Sequence, residues 1–373
     1  MIDMLYSVIT TIQKPTASVL GLVEKLNEVG GKLIVAGDMK GPTDFTPPSG
    51  EWRVTVDEAD HSKSNIQNSP SLMAWPVEFL SLEDQLALPY ELARLLPVGH
   101  YARKNLAYLS AIQHGATCIY ETDDDNAPNE NWVVRSEEVE ACRIVSSVES
   151  RWVNVYRYFS TENIWPRGLP LDEIRNHVVE AVPMSAPKRA PIQQGLVNGS
   201  ADVDAIWRLV MDHEFFFEPS ASVYLEPGNW CPFNTQTTWW WPMAYPLLYI
   251  PSYCSFRMCD IWKSFVAQRC LWELDLGIVF HAPEVYQDRN AHDLMRDFRD
   301  EIPGYDKNRK ICEILSGVQL NKGSAAVVEN LLTCYEALVA KEIFPAKELD
   351  LVKAWMGALG SSMTEGKAPM ADC

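Results

Sequence analysis

Three consecutive aspartates, Asp123, Asp124 and Asp125, close the segment 116–125, which opens with a short apolar run. The run predicts a buried strand. Open α/β sheets bind ligands at the carboxyl ends of their strands, so we expect the aspartates at such an edge. If the extended geometry persists, Asp123 and Asp125 point to the same side. Two carboxylates suit Mn²⁺ or Mg²⁺, which bind one or two carboxylates plus substrate phosphates. The alternative is an acidic turn that faces solvent.

Residues 99–115, in front of this strand, predict a helix, because their apolar positions lie near helical spacing and Gly115 follows the last turn. Arg103 and Lys104 open the helix, where cations oppose the helix dipole unless they face an anion. We therefore predict that both bind a nucleotide, together with Asp123 and Asp124. A solvated pair of cations is the alternative.

The N-terminal segment has a β-α-β pattern: residues 6–12 predict a strand, 14–29 an amphipathic helix and 32–36 a second buried strand. This order implies a parallel sheet with a right-handed crossover. Thr10 and Thr11 end the first strand, and Asp38 and Lys40 lie in the loop after the second. Their position predicts contact with a nucleotide base and ribose. For the threonines, ordinary β-branched strand residues are the alternative.

Composition excludes some classes of protein. The 373-residue chain carries a net charge of −18, which argues against non-specific nucleic-acid binding. Its nine cysteines include no CxxC pair, so buried free thiols are expected rather than a disulfide framework. No apolar run approaches the roughly 20 residues of a membrane helix. The N-terminus does not resemble a signal peptide, which favours a cytoplasmic protein.

Aromatic residues concentrate in residues 230–253, where Trp239, Trp240 and Trp241 are consecutive. Side chains alternate along a strand, so we expect at least one of the three to be exposed or to line a cleft. Core packing, contact with a sugar ring and a partner surface are the three interpretations. Asn234 lies in an adjacent predicted loop, where its amide is available to sugar hydroxyls.

Two further charged residues are candidates for the site. Arg167 lies in a predicted Trp-Pro-Arg-Gly turn, and its guanidinium suits bidentate binding of a diphosphate. A structural arginine that holds a loop is the alternative. Asp260 lies near the start of a predicted helix from 257 to 272, where capping is the simplest role.

Six sets of short sequence blocks follow one another along the chain: 7–12 with 37–40, 102–105 with 115–126, 164–171, 193–196 with 202–204, 232–234, and 257–262 with 268–269. In this order they resemble the STELLO-type glycosyltransferase domain. That family is similar to GT-A glycosyltransferases and, more distantly, to plant UDP-arabinopyranose mutases. Beyond about residue 300 we recognise no motif of the family.

The resemblance implies an α/β, GT-A-like (nucleotide-diphospho-sugar transferase) fold: a mixed, mainly parallel sheet flanked by helices, with a helical C-terminal extension. We assign residues 1–182 to the nucleotide-sugar and metal-binding half and 192–300 to the acceptor and sugar-binding half. Residues 301–359 are predicted to form the helical extension, and 360–373 a disordered tail. Residues 183–191 are predicted to form a linker, and 41–76 a long loop or insertion.

The resemblance further implies a Mn²⁺- or Mg²⁺-dependent transfer from a UDP-sugar to a carbohydrate hydroxyl. Asp260 would then contact a sugar and accept a proton from the attacking hydroxyl, with Trp262 and Asn234 beside the sugar. His281, after the apolar run 276–280, would be a third metal ligand; a hydrogen-bonded structural histidine is the alternative.

Two other functions remain open at this point: a UDP-sugar mutase, and a non-catalytic relative that uses the aromatic stretch to bind a partner protein. A homo-oligomer is compatible with each of these functions. STELLO-type plant proteins are Golgi membrane proteins, so the Golgi lumen is the alternative location if the chain is a trimmed form.

Overall fold

The computed structural model describes residues 4–47, 75–140, 142–147, 151–175, 177–288 and 293–365. The predicted loop 41–76 lies mostly outside the described residues. Within them, no helix is both long enough and apolar enough to cross a membrane.

The strands, in chain order, are Leu5–Thr11 (β1), Lys32–Gly37 (β2), Val77–Leu80 (β3), Cys118–Thr122 (β4), Asn126–Pro128 (β5), Glu138–Val139 (β6), Cys142–Val145 (β7), Val182–Pro183 (β8), Lys188–Arg189 (β9), Ile192–Gly199 (β10), Ser222–Leu225 (β11), Thr237–Trp240 (β12) and Ile278–Gln287 (β13). The α-helices are Ala17–Glu28 (α1), Leu82–Ala87 (α2), Glu91–Leu95 (α3), Lys104–Gln113 (α4), Ala205–Val210 (α5), Cys259–Trp272 (α6), Leu294–Gly317 (α7), Val327–Ala340 (α8) and Glu348–Glu365 (α9).

The main sheet has the strand order β3-β2-β1-β4-β12-β10-β13-β11-β7-β8, with β5 paired to β13. The β3-β2-β1-β4 half is parallel, so the carboxyl ends of β1, β2 and β4 meet at one edge. Strand β12 runs antiparallel between β4 and β10. This mixed sheet, flanked by helices and followed by a helical C-terminal region, is consistent with the predicted GT-A-like α/β fold.

The predicted β-α-β opening is confirmed. Thr16 caps α1 by accepting a 3.2 Å hydrogen bond from the backbone N–H of Val19. The buried face of α1 carries Val19, Leu22, Val23 and Leu26, at the predicted helical spacing. Gly30 follows with φ +69, a conformation that glycine adopts without a steric penalty.

The tryptophan prediction is wrong, because Trp239, Trp240 and Trp241 are all buried. The sheet is covered on both faces, so alternation along β12 places successive rings in two different cores. Trp240 packs in the core on one face, and Trp239 and Trp241 pack in the core on the other. The aromatic stretch is therefore core rather than a partner surface or a sugar platform.

Two element boundaries differ from the predictions. The predicted linker 183–191 contributes the short strands β8 and β9, which pair with β7 and β6. Helix α9 ends at Glu365 rather than 359, so the start of the predicted tail is helical. Residues 366–373 lie outside the described part of the chain.

The cysteine prediction is confirmed for the described residues. The eight cysteines among them are free, and all but the half-buried Cys254 are buried.

Candidate active site

A cavity of about 580 Å³ opens at the carboxyl ends of β1, β2 and β4. Many of the residues predicted from sequence line it: Thr10, Thr11, Asp38, Lys40, Arg103, Asp123, Asp124, Asp125, Arg167 and Asp260. The parallel half of the sheet and the start of α6 thus bring together residues that are far apart in sequence.

The extended geometry that we considered for the aspartate triplet does not persist. Strand β4 ends at Thr122, and the chain turns at Asp124 and Asp125. The turn places all three half-buried aspartates at the cavity wall. An extended segment would have placed only Asp123 and Asp125 on the same side.

Asp123 is bound by a cation of the protein itself. Its Oδ1 accepts a 2.7 Å hydrogen bond from the Tyr101 hydroxyl and a 3.3 Å bond from the Lys104 ammonium. The Lys104 side chain is fully buried, and its ammonium also donates to the carbonyl oxygen of Thr122. Lys104 does not line the cavity. Its anion is Asp123, so the predicted contact with a nucleotide is wrong.

Asp124 holds the turn against the first strand. Its Oδ2 accepts a 2.5 Å hydrogen bond from the Thr11 hydroxyl, and its carbonyl oxygen accepts one from the Thr16 hydroxyl. Burial raises the pKa of the Asp124 carboxyl, and the nearby Asp123 adds to the rise.

Asp125, like Asp124, forms no ion pair with a Lys or Arg among the described residues. Its two oxygens accept hydrogen bonds of 3.1 and 3.0 Å from the side-chain amide of Gln287. Burial, and then the charge of Asp123, raise the pKa of Asp125 to about 7. A negative charge on Asp125 is therefore under-compensated by the protein.

Arg167, which also lines the cavity, joins two carboxylates. Its guanidinium donates to both oxygens of Asp202, at 2.8 and 3.1 Å, and to both oxygens of Asp260, at 3.0 and 2.8 Å. It also donates to the carbonyl oxygen of Arg257. These bonds engage the guanidinium donors, so Arg167 has the structural role rather than the predicted role of binding a diphosphate.

Asp202, which we had not predicted as a site residue, also lines the cavity. Burial alone would raise its pKa, but the Arg167 guanidinium outweighs burial and holds the pKa of Asp202 below its usual value. Asn234 donates a 2.7 Å hydrogen bond to Asp202 and does not itself line the cavity. Its predicted contact with a sugar is thus replaced by an indirect role.

Two predicted residues lie elsewhere. The indole of Trp262 is buried and donates to Asn308 of α7 at 2.8 Å. His281 is buried in the middle of β13, where its ring nitrogens bond to Ser222 and Gln193. Burial lowers the pKa of His281 well below its usual value, so the ring is neutral. It does not line the cavity, and the predicted metal-ligand role is wrong.

Comparisons with known proteins show which family the chain is similar to. A family model described as STELLO glycosyltransferases matches residues 257–365. The chain is 31% identical over 244 residues to "Probable glycosyltransferase STELLO1" of Arabidopsis thaliana, covering 60% of this chain and 32% of that protein. "Probable glycosyltransferase STELLO2" of the same plant matches with the same identity and coverage.

The chain is thus similar to the STELLO glycosyltransferases. It spans about a third of the length of the curated relatives it matches. The family match reaches residue 365, which corrects the expectation that no family feature lies beyond about 300. The matched region begins beside Asp260 and includes α6 to α9, so the STELLO region carries one wall of the cavity together with the C-terminal helices.

The oxygen atoms that line the cavity decide whether a divalent cation fits there. Across the described residues, no group of three or more His, Cys, Asp or Glu side chains is arranged to hold a metal ion by itself. Asp125 nevertheless offers two carboxylate oxygens without a cationic partner, and Asp123 lies beside it on the cavity wall. These oxygens fit Mn²⁺ or Mg²⁺ when substrate phosphates and water complete the coordination.

Sequence reasoning missed Tyr101, Asp202, Phe256 and Gln287, which all line the cavity. Gln287 had a detectable signal, because it ends β13, the strand on which we had chosen His281. Asp202 lay in a recognised sequence block. The roles of Tyr101 and Phe256 depend on packing that no local pattern reports.

Proposed function

We propose that this chain is a glycosyltransferase that uses a UDP-sugar donor, with Mn²⁺ or Mg²⁺ as cofactor, and transfers the sugar to a hydroxyl group of a sugar or glycan. The observation that carries the proposal is Asp125, an under-compensated carboxylate in a large cavity at the carboxyl edge of a parallel sheet. The names of the STELLO relatives support the class of reaction.

Different residues of the cavity suit the nucleoside and the diphosphate of a UDP-sugar donor. Thr10, Asp38 and Lys40 lie at the ends of β1 and β2, where a nucleoside binds in open sheets. Asp123 and Asp125 would hold the cation, which neutralises charge on the departing diphosphate. The buried ammonium of Lys104 would fix the position of Asp123 through their ion pair.

The Asp202–Arg167–Asp260 cluster suits the sugar end of the reaction. Asp202 and Asp260 present carboxylates to the cavity while Arg167 fixes their positions. Asp260 is the residue we propose to act on the attacking hydroxyl, by orienting it and accepting its proton. The pKa of Asp202 is held below its usual value by Arg167, which favours a role as a hydrogen-bond acceptor.

A panel of UDP-sugars with Mn²⁺ tests the proposal, with hydrolysis, transfer and ring isomerisation read separately. Transfer to added sugars, accompanied by release of UDP, is the expected result. Isomerisation of the donor without release of UDP would instead identify a mutase. Absence of all three reactions would leave a binding protein.

Mn²⁺ and UDP are expected to stabilise the fold together, because each supplies ligands to the other's site. At about one hundred times its Kd, a ligand adds roughly 2.7 kcal/mol to the free energy of unfolding. Thermal melting with UDP, with Mn²⁺, with both and with neither measures the effect. Equal melting temperatures in all four conditions would contradict the metal-nucleotide proposal.

Replacing Asp260 by Asn is expected to lower turnover by roughly a hundredfold or more, because the amide cannot accept the proton. UDP affinity should be unchanged, since the cation that would bind the phosphates is proposed to be held by Asp123 and Asp125. Arg167 keeps its bonds to Asp202, so the fold should persist. Calorimetric UDP binding measured beside turnover checks this, and normal turnover in the variant would remove Asp260 from the mechanism.

A further inference from the structure

Phe256 is an exposed aromatic residue on the wall of the cavity. The residue is 56% exposed, whereas His100 and Tyr101, the other two aromatic residues that line the cavity, are half-buried. The ring stands edge-on to His100 and Tyr101, with centroid distances of 6.1 and 6.0 Å. The ring is therefore held by two neighbouring rings while the residue remains open to the cavity.

The backbone that carries Phe256 is tightly held. The hydroxyl of Ser255 donates to the carbonyl oxygen of Asp300, and the N–H of Met258 donates to the carbonyl oxygen of Ser255 at 2.9 Å. The carbonyl oxygen of Arg257 accepts from Arg167. Exposure of Phe256 is thus imposed by the fold and is not the result of a loose segment.

The position of the ring relates it to both halves of the proposed reaction. Tyr101, its neighbour, donates to Asp123, and the short 3₁₀ turn Phe256–Met258 leads directly into Asp260 at the start of α6. The nucleoside wall of Thr10 and Asp38 belongs to different strands. The other neighbour of Phe256, His100, follows Gly99, whose N–H donates to Asp38 at 2.9 Å. Phe256 therefore lies between the Asp260 end and the Asp38 end of the cavity, on its solvent side.

We propose that Phe256 is the platform on which the pyranose ring of the acceptor lies. The apolar C–H face of a pyranose matches the flat apolar face of a phenyl ring, and stacking orients the hydroxyl groups at the edge of the sugar. Those hydroxyls would then lie toward Asp260 and Asp202. This inference rests on the proposed function, because it names the binding site of the acceptor in that reaction.

Two substitutions separate stacking from mere hydrophobicity. Phe256→Leu keeps an apolar side chain but removes the flat face, whereas Phe256→Trp keeps and extends it. Phe216→Leu is the matched control, because Phe216 is 59% exposed, stacks on Tyr286 and does not line the cavity.

Saturation-transfer NMR with methyl glucopyranosides, galactopyranosides, xylopyranosides and arabinopyranosides, in the presence of UDP and Mn²⁺, measures the binding of sugar rings. We expect wild type to bind at least one of them, Phe256→Leu to lose about tenfold in affinity, and Phe256→Trp and Phe216→Leu to retain it. UDP affinity, measured separately by calorimetry, should change by less than about twofold in Phe256→Leu.

Three results would overturn the inference. The first is unchanged pyranoside affinity in Phe256→Leu, and the second is no pyranoside binding by wild type. The third is a loss of UDP affinity in Phe256→Leu, which would place the nucleoside on the ring. Failure of wild type to bind UDP counts against the proposed function instead, and the pyranoside results can still be interpreted in that case.

Discussion

Asp125→Asn is expected to abolish Mn²⁺-dependent turnover while the fold stays intact. The amide has nearly the same volume, but it lacks the charge that binds the cation. Loss of a direct ligand should exceed the 10- to 100-fold cost that is typical of losing an outer-shell partner, so we expect a decrease of more than about a hundredfold. Metal affinity is measured by calorimetry with UDP present, and turnover with the active donor.

The same substitution has a predicted effect on stability in the absence of metal. The folded-state pKa of Asp125 is about 7, whereas an unfolded aspartate titrates near its ordinary value of about 4. Between these values the folded state binds the extra proton, so the free energy of unfolding falls as pH rises toward 7. Asn cannot ionise and avoids this loss. The advantage of Asp125→Asn in melting temperature over wild type should therefore be larger at pH 8 than at pH 5.

Asp172→Asn is the control for both measurements, because Asp172 is an exposed aspartate paired with Arg309. It should change neither turnover nor metal affinity. Wild-type turnover and metal affinity in Asp125→Asn would show that the triplet is only a polar turn.

Local sequence patterns predicted the elements whose conformation is decided by neighbouring residues. The β1-α1-β2 unit and the buried strand before Asp123 follow from hydrophobic periodicity and glycine stops, so their boundaries were close to those observed. The position of the site followed as well, because the carboxyl ends of parallel strands meet at one edge.

Long-range pairing explains what the sequence did not reveal. Arg167 binds carboxylates 35 and 93 positions away along the chain, and no local pattern distinguishes a guanidinium held in this way from one that is free for phosphate. Similarly, His281 follows an apolar run, but β13 continues to Gln287, so the end of the strand lies six residues later than the run suggested. Whether three tryptophans are exposed depends on how many faces of the sheet are covered, which is a property of the whole domain.

Arg167→Met is expected to cause the largest loss of stability. Asp202 and Asp260 have side chains only 10% and 8% exposed, and Arg167 supplies the positive charge that both contact. Removing one partner of a buried ion pair leaves an uncompensated charge and typically costs about 3–5 kcal/mol. Urea or thermal unfolding of the variant measures this change in the free energy of unfolding.

Arg309→Met provides a matched comparison, because Arg309 also contacts two carboxylates, Asp172 and Glu173, but its side chain is 39% exposed. Solvent screens its pair with Asp172, which is 73% exposed, although Glu173 is only 10% exposed. Removal of Arg309 should therefore cost clearly less than removal of Arg167. The double variant Arg167→Met/Asp260→Asn should recover part of the loss, since it removes one of the stranded charges, with a coupling of about 0.5–3 kcal/mol. A cost for Arg167→Met no greater than that for Arg309→Met would mean that Asp202 and Asp260 find other compensation, and that the cluster does not depend on the buried guanidinium.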